Sequence, residues 1–144
     1  MLPQTAWPEA SGRLWAMSNT PENTRAKGLT AEQITAPLLQ NMPRLAGDFS
    51  HEGIQRLGNP LPMLVVNHGN ELLELILEPS GQDYWLKPKE SFMVTSYGDW
   101  PDYPFEAIYE PGCIVVWVVS CFATVTFRNG DEVPGGYQRP ASAC

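Results

Sequence analysis

The chain is 144 residues long, enough for one ordinary domain whose core needs no metal or disulfide staple. Sixteen Asp and Glu stand against nine Lys and Arg, a formal charge of −7. That field repels phosphate backbones and anionic lipid, so nucleic acid and membrane surfaces are not expected partners, whereas a basic protein or a cationic ligand is favoured.

Residues 1–28 are punctuated by Pro3, Pro8, Gly12, Pro21 and Gly28 and read as irregular. Trp7, Leu14, Trp15 and Met17 are too apolar for a solvated tail, so this stretch is expected to wrap over a sheet and insert one or both tryptophans. Met1-Leu-Pro-Gln-Thr5 has no basic start leading into an apolar run, and no secretory signal is read there. Thr30-Ala-Glu-Gln33 has the form of a capping box, with Leu29 and Ile34 placed for a hydrophobic staple. Ile34, Leu38 and Leu39 continue at helical spacing, and Pro37 is expected to end the helix or allow one short turn beyond it. From Gly47 to Pro60 the chain reads as loop.

Strand patterns begin at Leu61. Leu61–Val66, Glu71–Glu78, Gln82–Leu86, Ser91–Tyr97 and Phe105–Tyr109 are short apolar or alternating runs separated by turn sequences such as Asn67-His-Gly-Asn70 and Pro79-Ser-Gly81. The densest supply of β-branched and aromatic residues is Cys113–Phe127, expected to form a buried central strand or a tight pair of strands. Arg128-Asn-Gly-Asp131 closes it, and Glu132-Val133 returns briefly. This spacing predicts a mainly β fold, an antiparallel β-sandwich or jelly-roll-like barrel with a short N-terminal helix and an irregular N-terminal covering segment. One domain over 1–144 is expected, with 1–60 as the covering layer and 61–134 as the β core.

The run 113–127 is too short to cross a bilayer as a helix. Cys113 and Cys121 lie in that core-like run and Cys144 is the last residue; three cysteines leave at least one thiol unpaired, so a reducing, cytoplasmic setting is expected. Both core cysteines sit among valines, where a thiol is expected to be inert.

No phosphate loop, dinucleotide fingerprint, nucleophile elbow or Cys-x-x-Cys pair is present. Asp48-x-x-His51 and His68-x-x-Glu71 are each locally plausible as metal ligands, and His51, Glu52, His68 and Glu71 together would suit zinc or iron. The competing reading makes them polar turn residues. Cupins are jelly rolls holding a metal with a closely spaced pair of histidines and a glutamate; the two histidines here stand seventeen positions apart, so the resemblance stops at shape. The surface of greatest interest is Tyr97-Gly-Asp-Trp-Pro-Asp-Tyr-Pro-Phe105. Trp100 and Tyr103 alternate with Asp99 and Asp102 in a proline-stiffened loop, and rigid aromatics beside carboxylates lose little side-chain entropy on binding. Against this stands Trp100 folding back to cap the end of the β core.

The leading expectation is a non-enzymatic, acidic protein-binding module, immunity-protein-like or an accessory subunit, with Asp99, Trp100, Asp102 and Tyr103 facing a basic partner and no cofactor. The alternatives are a cupin-like small-ligand or metal-dependent enzyme using His51 and His68 with nearby carboxylates, and a structural subunit that assembles with copies of itself.

Overall fold

The structure is a computed structural model and describes residues 30–141. The covering segment expected over 1–28, with Trp7 and Trp15, lies outside the described residues, as do Leu29 and Cys144. Within them the order is α1 (Ala31–Leu45), α2 (His51–Gln55), β1 (Leu61–Val66), β2 (Leu73–Glu78), β3 (Gln82–Leu86), β4 (Ser91–Tyr97), β5 (Phe105–Glu110), β6 (Cys113–Val118) and β7 (Phe122–Thr126).

Thr30 caps α1 as its sequence requires: its hydroxyl accepts from Gln33 N while its own N–H donates to Gln33 Oε1 at 2.8 Å. Contrary to the expected stop, Pro37 and Pro43 both lie inside the helix. Each lacks an N–H and crowds the turn before it. The helix continues because Pro37, Asn41 and Leu45, four residues apart, form one buried stripe, so tertiary packing outweighs the lost backbone bonds. Ala46, in the left-handed region at φ 51°, ends it. The stretch read as loop contains α2, whose cap Ser50 accepts from Gly53 N at 3.0 Å. Gly53 is required there, since a Cβ would stand 2.2 Å from the Asp48 carbonyl oxygen.

The fold is mainly β, in two sheets: three strands in the order β1-β4-β7 and four in the order β3-β2-β6-β5. Pairing is antiparallel except between β2 and β6, which run parallel, so the expectation of a wholly antiparallel arrangement is corrected and the sheets do not close into a barrel. One apolar cluster draws on both sheets: Val65, Phe92, Val94 and Val125 from the smaller, Leu75, Leu77, Tyr84, Leu86, Val116 and Val118 from the larger. Strand alternation sends their neighbours to the opposite faces. On the smaller sheet that face carries Tyr97 and Phe122, covered by Leu38, Leu45, Ile54 and Leu57 of the helical layer.

The valine-rich run 113–127 divides between the sheets. β6 is an inner strand of the larger sheet and β7 an edge strand of the smaller, so the two do not pair. The chain changes sheet at Ser120-Cys121, where Cys121 takes φ 79° and its N–H reaches Val118 O at 3.0 Å. Ser120, fully buried, holds this corner through Ser96 Oγ at 3.2 Å and the Phe122 N–H. Beyond β7 the chain first runs along that strand's outer edge, with Phe127 N donating to Asp131 O and Val133 N to Val125 O, each at 2.9 Å. It then crosses to the outer edge of β3, where Gly136 N reaches Asp83 O and Trp85 N reaches Tyr137 O. Tyr137 drops its ring edge-on against Phe92 and Phe127 at 6.0 and 5.4 Å. Among the described residues no helix is long and apolar enough to cross a membrane.

Candidate functional site

The loop between β4 and β5 is held from below by α1. Asn41, with no exposed surface, donates to Asp99 O at 2.9 Å and to Ser120 O at 3.0 Å, and accepts from Asp99 N at 2.9 Å. Gly98 lets Asn41 approach: φ is 89°, and a Cβ would stand 2.8 Å from Asn41 Oδ1. Gly98 is itself fixed by Gly58 O and by the Asn59 amide. The other end of the loop is tied where Val119 N donates to Pro104 O at 3.0 Å.

Between these ties the four residues singled out in the sequence take different places. Trp100 is partly buried against Trp117, Val119 and Ile34, so its ring folds inward. Its Nε1 is buried without a hydrogen-bond partner. The Asp99 carboxylate turns back to α1, accepting from Gln40 Nε2 at 3.1 Å with Arg44 at 3.6 Å. Asp102 is exposed, and Tyr103 is 38% exposed beside Pro101. Partial burial raises the Tyr103 phenol above its ordinary pKa, with Glu106 and Asp102 adding to the shift, so it remains a neutral donor near pH 7. Glu106, one strand away and opposite Trp117, has its pKa raised by desolvation and a buried Oε1 without a partner.

The histidine and carboxylate set is split. His51 and Glu52 lie on α2, with His51 Nδ1 3.8 Å from Glu132 Oε2 beside β7. His68 and Glu71 lie in the β1–β2 turn, which Asn67 organises by donating to Glu71 O and Leu86 O and accepting from Gly69 N. Among the described residues no three His, Cys, Asp or Glu side chains come together as a metal set. His68 and Glu71 instead border a cleft of about 370 Å³ whose floor is Val66, Leu73 and Ile114 and whose far wall is Tyr109. Tyr109 shares a strand face with Phe105, yet it is 74% exposed while Phe105 packs into the core. Its place at this cleft was not legible in the alternation alone, because β5 runs along the edge of its sheet. Burial raises the Cys121 thiol to about 11, and its sulfur lies 3.6 Å from Ile34 O, so no thiolate is available there near neutral pH. No protein-family model, curated protein or solved structure matches the chain.

Proposed function

We propose that the protein is a non-enzymatic, acidic protein-binding module whose recognition element is the β4–β5 loop on a two-sheet sandwich. The supporting observation is that the loop is tied at both ends, by Asn41 at Asp99 and by Val119 at Pro104, while Asp102 and Tyr103 stay open to solvent. A loop already held in one conformation loses little entropy when it docks. Trp100 serves as the pin, and Asp102 with Tyr103 supplies the contact. The net charge of −7 selects a basic partner. The sandwich reading is supported by the single apolar cluster to which both sheets contribute.

Affinity capture from the source cell tests this with the wild type and an Asp102→Ala/Tyr103→Ala double variant. Both positions are surface ones, so the thermal midpoint is expected to stay within a few degrees, about ±0.5 kcal/mol per site. The principal captured protein is expected to be lost from the variant and weakened by salt in the wild type. Undiminished capture by the variant overturns the proposal.

The cleft favours a second reading, a small-ligand site. An apolar floor with Glu71, His68 and Tyr109 at its rim suits a small cation with an apolar body. Calorimetric titration with aliphatic and aromatic amines, against a Glu71→Gln/Tyr109→Ala variant, separates it from the first.

A further inference from the structure

The face of the larger sheet that turns away from the core has an ordered pattern of its own. Strand pairing aligns Ile76 with Val115 and Val115 with Ile108, an apolar row across three strands. On one side of this row Glu74, Cys113 and Glu110 are aligned; on the other, Glu78, Trp117 and Glu106. Asp83 stands beside Ile76 on the fourth strand. An apolar stripe is thus bordered by five carboxylates. Ile76 and Val115 are 7% and 2% exposed, yet neither belongs to any of the three apolar clusters formed among the described residues.

We propose that residues 1–29 of this same chain dock on that face. The point of entry fits: Thr30 caps α1, and Ile34 in its first turn packs on Trp117 and Val119, at the Trp117 side of the stripe. The reach fits as well. Twenty-nine residues span up to ~95 Å when extended, whereas four strands are only about 15 Å across. The chemistry is complementary, since the segment carries Trp7, Leu14, Trp15 and Met17 for the apolar row. It also carries Arg13, Arg25 and Lys27 against only Glu9 and Glu22, facing a sheet surface bordered by carboxylates. The buried, unpartnered Glu106 Oε1 is an acceptor that an arginine or lysine of the segment would satisfy.

Limited trypsin digestion of the full chain, followed by mass spectrometry, tests the docking. Cleavage after Arg13, Arg25 and Lys27 is expected to be at least roughly tenfold slower than in a synthetic peptide of residues 1–29, and independent of protein concentration. Ile108→Lys on the sheet and a Trp7→Ser/Trp15→Ser pair in the segment should each restore fast cleavage. The second variant leaves the β core untouched, and near-ultraviolet circular dichroism checks that both remain folded. Wild-type cleavage as fast as the peptide's overturns the proposal. So does protection that grows with concentration, which would place a second copy on the face, and so does protection that neither variant weakens.

Discussion

Asn41 makes three hydrogen bonds from a position with no exposed surface, to the backbone of Asp99 and to the corner at Ser120. Asn41→Ala leaves the Asp99 N–H and the Ser120 carbonyl without this partner, so a loss of about 1–3 kcal/mol is expected in urea unfolding. Faster amide exchange at Asp99 should accompany it, because the loop loses its tie. Asp83 gives a prediction in pH. Its carboxylate accepts from Arg139 Nε at 2.7 Å and from Trp85 Nε1 at 2.8 Å, and the Arg139 hydrogen bond leads in holding its pKa down at about 2, against 3.8 ordinarily. The folded pKa lies below the unfolded one, so the stabilisation is full above about pH 4 and is lost as pH falls through about 2. Asp83→Asn should therefore be less stable than wild type at pH 7, with the difference closing over that acid window in thermal melts taken across pH.

Among the elements, those whose signals are local were legible. β1, β3 and β4 occupy the ranges their apolar runs and flanking turns predict, and the capping box at Thr30 starts α1 where expected. Tyr84-Trp85 divides as alternation requires, Tyr84 4% exposed in the core and Trp85 on the other face bonded to Asp83. What depends on distant partners was not legible. Pro37 carries a local instruction to stop, and only the docking of Asn41 and Leu45 overrides it. The division of 113–127 between sheets rests on Ser120 meeting Ser96, twenty-four positions away. Five residues of α2, with a glycine among them, are too few to show a period. Trp100 was legible as part of a notable loop, but its inward packing needed Trp117 and Ile34. Pro43 supplies an element-scale prediction. It is exposed and interrupts α1, so Pro43→Ala restores an N–H that can reach Leu39 O. A gain of about 1–3 kcal/mol is expected, reduced by the looser unfolded chain, and visible as a higher urea midpoint.

For the molecule as a whole, the open edges of the two sheets matter as much as the core. A bare strand edge is a template for another chain's backbone. Residues 131–133 occupy the β7 edge and residues 136–138 the β3 edge, so one short stretch sheathes one edge of each sheet. A nick or stop codon just before Asp131 would leave both edges uninsulated and withdraw Tyr137 from its ring partners. The product should do more than melt early. It is expected to grow into fibrous aggregates that bind thioflavin, and strand-breaking proline substitutions in β3 or β7 should slow that growth. The closing residues thus work as a guard against polymerisation, a duty quite separate from holding the fold together.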